Sequence, residues 1–223
     1  EDCSGLTSLT IPNSVTSIGY LAFYGCSGLT SIMVDGNNPV YDSREDCNAI
    51  IETAANSLVL GCVSTKIPNS VVDIGLGAFS GCNKLKSITI PASVRTMGIY
   101  NGDEDDDDDD DARAPSSYSR KKAPKKMLKV RKAESNMMGE MTNVFEGCNN
   151  LTSIHVDANN PVFDSRDNCN AIIVKATNML LTGCTTTVIP NSVTSIGIAA
   201  FGLLEKLTSV DIPILVTEFG ITV

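Results

Sequence analysis

The fold is decided by a stretch near the start of the chain, Cys3-Ser-Gly-Leu-Thr-Ser-Leu-Thr-Ile-Pro-Asn-Ser-Val-Thr-Ser-Ile-Gly19. The stretch runs on into an Ala-Phe-Tyr-Gly turn, and the pattern begins again at Cys26, 23 residues after Cys3. It returns at Cys82 and Cys148, and a degenerate copy starts near Leu204. Self-similarity at a short period is typical of repeat architectures, so the chain is expected to stack similar units.

A longer unit is nested among the short copies. The segment 34–51 matches 156–173 at a constant offset of 122 residues. Two 56-residue cassettes, 26–81 and 148–203, therefore alternate with the short repeats. Each cassette also contains Asn-Ala-Ile-Ile followed by a second apolar run, which predicts two extra strands joined as a β-hairpin.

Each short copy has a direct physical interpretation. The pattern Leu-x-x-Ile-x-Ile predicts a strand that points its apolar side chains inward. Ile-Pro-Asn-Ser predicts a turn, because Pro fixes φ and Asn and Ser bond the local backbone. Val-Thr-Ser-Ile-Gly predicts a second extended piece. One unit cannot bury its apolar face alone, but stacked neighbours can, and this predicts a solenoid.

The shared signature Leu-x-x-Ile-x-Ile-Pro-x-x-Val-x-x-Ile-Gly-x-x-Ala-Phe-x-Gly-Cys resembles the BspA-like leucine-rich repeat family. The resemblance covers most of the 223 residues. It implies a mainly β leucine-rich-repeat solenoid, a right-handed coil of short strands, with extra β-hairpins in the two long repeats. It also implies a cell-surface or secreted setting and, for some members, adhesion to host matrix proteins. The last residues, 204–223, depart from the signature because they lose the Gly-Cys mark.

Composition excludes several classes of function. The chain has 17 Lys and Arg against 26 Asp and Glu, a net charge of −9, which argues against nucleic-acid binding. A single histidine, His155, argues against a metal site or a histidine-based catalytic relay. No apolar run is long enough to span a membrane. We therefore expect no enzyme activity, no small-molecule substrate, no cofactor and no metal. Because the chain begins at Glu1 without an initiator Met, we expect a mature chain or a fragment.

An insertion interrupts the third copy. Residues 101–143 separate Gly98 from the next Val-Phe-Glu-Gly-Cys turn, opening with nine acids, Asp103 to Asp111, and continuing into a basic stretch. This composition predicts a disordered loop, with a cation site or a polyanion contact as alternatives. The expected organisation is one solenoid domain in two halves, 1–100 and 144–223, separated by the insertion 101–143.

Two sets of residues could have either a structural role or a chemical role. The cysteines at the start of four copies, Cys3, Cys26, Cys82 and Cys148, are expected to form a buried ladder of free thiols. Disulfides across each hairpin, Cys47–Cys62 and Cys169–Cys184, remain an alternative. The paired sequence Asp-Ser-Arg at 42–44 and 164–166 lacks a nearby histidine, so turn hydrogen bonds and an Asp–Arg ion pair are preferred over catalysis.

The outward strand positions are the candidate binding residues. We predict a non-catalytic, cell-surface or secreted module for protein–protein interaction, with adhesion or host-matrix binding as its role. The alternative is a passive scaffold that displays the charged loop to cations or polyanions. The positions that alternate with the apolar ones on successive strands are Ser8, Thr10, Ser31, Met33, Ser87, Thr89, Ser153, His155, Ser209 and Asp211.

Overall fold

The structure is a computed structural model that describes residues 3–19, 22–98 and 143–220. The predicted insertion lies outside these residues except for Asn143. The described residues form short strands and two 3₁₀ turns, with no α-helix among them, and the mainly β prediction is confirmed. The 3₁₀ turns are Arg44–Asp46 and Arg166–Asn168. The strands are β1 (Ser8–Ile11), β2 (Ser31–Val34), β3 (Tyr41–Asp42), β4 (Ala49–Glu52), β5 (Ser57–Gly61), β6 (Asp73–Ile74), β7 (Ser87–Ile90), β8 (Thr96–Met97), β9 (Ser153–Val156), β10 (Phe163–Asp164), β11 (Ala171–Val174), β12 (Met179–Gly183), β13 (Ser195–Ile196) and β14 (Glu218–Phe219).

Successive copies of the first strand pair in parallel and in the register of the repeat. β1 pairs with β2 so that Ser8 faces Ser31, an offset of one short repeat. β7 pairs with β9 so that Ser87 faces Ser153, across the insertion. The turns of the two copies also bond, since the amide of Phe79 donates to the carbonyl of Val144 at 3.0 Å. The insertion therefore leaves the register of the repeats intact.

The second extended pieces and the hairpins form two five-stranded sheets. One has the order β3-β4-β5-β6-β8 and the other β10-β11-β12-β13-β14. β4 and β5 are antiparallel, as are β11 and β12, which confirms the predicted hairpin in each cassette. β6 and β8 are the predicted second extended pieces, which end in Ile74 and Met97, and they continue the sheet in parallel.

The core follows the stacking of the repeats. The rings of Phe79 and Phe145, which occupy one repeat position, have centroids 5.4 Å apart and planes at 31°. The outer members of this series are only partly buried and pack on neighbouring clusters, Phe23 toward the first copies and Phe201 toward the last. Within the described residues, the inner repeats are thus packed on both sides by neighbouring repeats, while the first and last described repeats are packed on one.

The cysteine prediction needs correction at two of its four residues. All eight thiols are free, and Cys26 and Cys148 are buried, but Cys82 is only partly buried and Cys3 is exposed. The reason is that Cys3 lies in the first repeat, which has no described repeat before it.

Candidate functional site: the exposed strand face

The structure places all ten predicted binding residues at the surface. Four of them lie on the β1–β2 sheet, where Thr10 faces Met33. Four more lie on the β7–β9 sheet, where Thr89 faces His155. We call these eight residues the strand face: Ser8, Thr10, Ser31, Met33, Ser87, Thr89, Ser153 and His155.

Strand alternation holds these side chains outward. In β7 and β9 exposed and buried residues alternate strictly, and Ile88 and Ile154 point into the core. A shift by one residue would exchange the core residues for Ser and Thr, so burial fixes the register. The face is accordingly small and polar, except for Met33, whose exposed fraction is 58%.

Ser209 and Asp211 lie elsewhere than predicted. Neither belongs to a described strand, and both are exposed on the last repeat. They line a groove of about 250 Å³ opposite Val188 and Asn191. The preceding repeat is short here, since five residues lie between Cys184 and Pro190 whereas eight lie between Cys3 and Pro12. It therefore has fewer residues to offer the last repeat as a paired strand.

Two exposed residues were missed by the sequence analysis. Lys66 and Val188 directly precede an Ile-Pro pair, as Thr10 does, and both are exposed. The exposed fraction of Val188 is 72%. The spacing of the Ile-Pro marks is the signal that identifies them, although the apolar pattern before each mark is too degenerate to predict a strand.

A polar turn follows the strand face in each cassette. In the first, Arg44–Asp46 is a 3₁₀ turn in which Glu45 has φ of 58° and Asp46 has φ of 49°. Asn48 follows with φ of 52°. Left-handed backbone is costly for residues that carry a Cβ, so a local network must hold the turn. The second cassette repeats this geometry, with φ of 58° at Asp167.

The predicted Asp–Arg pairs supply that network, and this prediction is confirmed. Arg44 donates to both carboxylate oxygens of Asp42, at 2.7 Å from Nε and 2.5 Å from Nη2. It also donates from Nη1 to the side-chain oxygen of Asn56 at 2.8 Å. The guanidinium thus joins the turn to the hairpin loop. Arg166 makes the matching contacts with Asp164 and Asn178.

The ion pairs set the pKa of both carboxyls. Partial burial raises the pKa of Asp42, but hydrogen bonds from Arg44 and Thr53 outweigh it and hold the pKa below its ordinary value. Burial likewise raises the pKa of Asp164, and the hydrogen bonds and charge of Arg166, with the charge of Lys175, lower it overall. Both carboxyls are therefore charged at neutral pH and bound by the arginines of their turns.

These shifts predict an acid-sensitive fold. A carboxyl whose pKa is lowered in the folded state stabilises that state above its unfolded pKa, and the contribution is lost as pH falls through the folded value. We expect the midpoint urea concentration to decrease as the pH falls below 3.8, which is the ordinary pKa of Asp. The double variant Asp42→Asn and Asp164→Asn should be less stable than the wild type at pH 7. It should also lose less stability than the wild type as the pH is lowered. The measurement is the urea midpoint between pH 7 and pH 2.

A matched control uses the exposed acids of the same turns. Glu45→Gln with Asp167→Asn removes the same number of charges without removing an Arg-bound carboxylate. Equal flattening of the acid profile in both double variants would show that the ion pairs are not responsible.

The described residues contain little that points to chemistry. In 3–19, 22–98 and 143–220 no group of three or more His, Cys, Asp or Glu side chains is placed to hold a metal ion. Across the same ranges, no helix has the length and apolar character needed to cross a membrane. His155 stands on the strand face opposite Thr89.

Comparison with solved structures finds two leucine-rich proteins and a bacterial vaccine antigen. A leucine-rich repeat protein from Eubacterium ventriosum is 16% identical, with a TM-score of 0.44 over 96% of this chain and 57% of the other. A leucine-rich cell surface protein from Faecalibacterium prausnitzii is 20% identical, with a TM-score of 0.45 over 97% and 48%. The pneumococcal vaccine antigen PcpA is 14% identical, with a TM-score of 0.40 over 96% and 47%. The chain spans about half the length of these proteins.

The repeats themselves identify the family. No curated protein matches the chain. The family described as the BspA type leucine-rich repeat region matches in six copies, over residues 1–44, 50–101 and 176–222. These ranges cover more than half of the chain and contain the Ile-Pro turns of the first, third and last repeats described above. The chain therefore belongs to the BspA-type leucine-rich repeat family.

Proposed function

We propose that the chain is a right-handed leucine-rich-repeat solenoid that acts as a non-catalytic protein-interaction module. The observation that carries the proposal is the strand face, eight exposed side chains held in register by parallel pairing. Because paired strands fix the backbone, the side chains are presented without a large ordering cost on binding. A cell-surface or extracellular setting belongs to the same proposal and is supported by the family of the repeats.

The chemistry of the strand face favours protein partners bound by several weak contacts. Tight interfaces are usually anchored by Trp, Tyr or Arg, and the face has none of these. Its hydroxyls offer hydrogen bonds, and Met33 offers one flexible apolar contact. Repetition of such contacts along a long partner raises the overall affinity, which suits host matrix proteins and other extended surface proteins.

Charge substitution on the strand face tests the proposal. Thr10→Glu with Thr89→Glu adds one charge to each sheet at exposed positions, so the fold should be retained. We expect capture by a panel of immobilised extracellular-matrix proteins, measured by surface plasmon resonance, to fall at least about tenfold, because a carboxylate buried without a partner opposes association. The control is Thr16→Glu with Thr177→Glu, the same change at exposed positions off the face. Equal capture by the two double variants would refute the strand-face assignment.

A second variant tests whether capture depends on the strand face or on the charged loop. Excision of residues 101–142 should leave capture unchanged. Asn143 is kept because it donates from Nδ2 to the carbonyls of Ala199 and Ala200, both at 3.3 Å, and accepts from the amide of Phe145 at 3.0 Å. Loss of all capture on excision would instead favour the scaffold alternative, in which the loop binds cations or polyanions.

A further inference from the structure

Cys3 and Cys26 lie opposite each other at the start of the first two repeats. β1 and β2 are paired at an offset of 23 residues, and the same offset relates the two cysteines. The register extends back to them, since the amide of Thr30 donates to the carbonyl of Thr7 at 2.9 Å. A Cβ on Gly28 would lie 2.3 Å from the carbonyl oxygen of Ser4, which shows how closely the two turns stack.

The stacking distance suits a disulfide. Neighbouring parallel strands lie roughly 4.8 Å apart, inside the range of about 4.4–6.8 Å that bridged Cα atoms span. The two thiols already interact. Burial raises the pKa of Cys26, the charge of Cys3 raises it further, and the two side chains share a hydrogen bond.

We propose that Cys3 and Cys26 are the thiol pair that a small disulfide oxidant, such as glutathione disulfide, converts to an intrachain disulfide. The exposed Cys3 thiolate attacks glutathione disulfide, which forms a mixed disulfide and releases one glutathione thiolate. The Cys26 thiolate then attacks the Cys3 sulfur and releases the second glutathione. The protein loses two electrons and two protons, and glutathione disulfide gains both.

The other cysteines are held differently. Cys148 lies opposite Cys82 by the β7–β9 register, but it is fully buried and donates to the carbonyl of Phe79 at 3.2 Å. Burial raises the pKa of Cys82 to about 12, so little thiolate is present there at pH 8. In the hairpins the thiols point to different carbonyls, with Cys47 donating to Ala49 and Cys62 to Asn48. None of these pairs combines matching repeat positions with an exposed thiol, as Cys3 and Cys26 do.

One digest distinguishes the possible bridges. The folded protein is incubated with glutathione disulfide at pH 8, acid-quenched, unfolded, alkylated with iodoacetamide and cleaved with trypsin. Cys3 and Cys26 are the two cysteines of the tryptic peptide 1–44, while Cys47 and Cys62 share the peptide 45–66. We expect peptide 1–44 to carry no alkyl group and to be two hydrogens lighter than its unalkylated dithiol form, and all other cysteine peptides to remain fully alkylated.

Two variants complete the test. Cys3→Ser should leave all seven remaining thiols free of protein disulfides, and Cys26→Ser should leave Cys3 as a glutathione adduct. Full alkylation of peptide 1–44 after oxidation would overturn the proposal. A bridge within 45–66, or one linking peptide 67–84 to 1–44 or to 133–166, would overturn it as well, because each would place the oxidisable pair elsewhere.

Discussion

Replacing Asn160 by alanine is expected to lower the free energy of unfolding by about 3–5 kcal/mol. The Asn160 side chain is fully buried. Its amide nitrogen donates to the carbonyls of Pro91 at 2.8 Å and Val94 at 3.0 Å. Its oxygen accepts from the amides of Val162 and Phe163, both at 2.9 Å. One side chain thus satisfies four backbone groups and joins two repeats, and removing it leaves buried groups without partners. The measurement is the urea midpoint at unchanged slope.

The chain offers a matched control for this prediction. Asn38 occupies the same position in the first cassette and bonds Pro12, Val15, Val40 and Tyr41 in the same way. It is only half-buried, so water can replace part of what alanine removes. Asn38→Ala is therefore expected to cost about 1–2 kcal/mol. Equal losses for the two variants would mean that burial does not set the strength of this contact.

Asn160→Asp separates shape from hydrogen bonding. The aspartate keeps the two bonds that the oxygen accepts but turns a charged oxygen toward the carbonyls of Pro91 and Val94. Protonation restores one donor, so this variant should approach the wild-type midpoint as pH falls, while Asn160→Ala should not. A constant gap between Asn160→Asp and wild type from pH 7 to pH 4 would contradict the assigned orientation.

The register of the repeats could be predicted because the sequence aligns with itself. The offset between Cys3 and Cys26 is the offset at which β1 pairs with β2, and the hairpin of each cassette follows from two apolar runs separated by a polar turn. These features depend on which side chains must be buried, and the pattern of apolar residues predicts those side chains.

The polar turn of each cassette could not be predicted in this way. In the first cassette it contains three left-handed residues, Glu45, Asp46 and Asn48, none of which is glycine. Such a turn is held by the Arg44 guanidinium and its partners on other elements rather than by local preference. The role of Asn160 was missed for the same reason, since Asn-Asn-Pro marks a polar turn but not the carbonyls that the amide reaches.

Replacing Gly61 by alanine is expected to cost about 3 kcal/mol, because no space exists for a methyl group there. A Cβ at this position would lie 2.2 Å from Cε1 and 2.6 Å from Cζ of Phe79. That ring cannot retreat easily, since Phe79 is fully buried and stacked on Phe145. The clash must therefore displace the centre of the core. The measurement is again the urea midpoint, with the shorter Phe79→Leu variant made alone and in combination.

The double variant tests whether the ring is the cause. If the clash is with Phe79, Gly61→Ala should cost clearly less when residue 79 is leucine, so the two losses should not add. Gly36→Ala is the control, because no atom lies within 4 Å of its Cβ and the second cassette carries Ala158 at the matching position. It should change the free energy of unfolding by less than about 0.5 kcal/mol. A Gly61→Ala variant as stable as Gly36→Ala would show that the repeats pack less tightly at Phe79 than the structure requires.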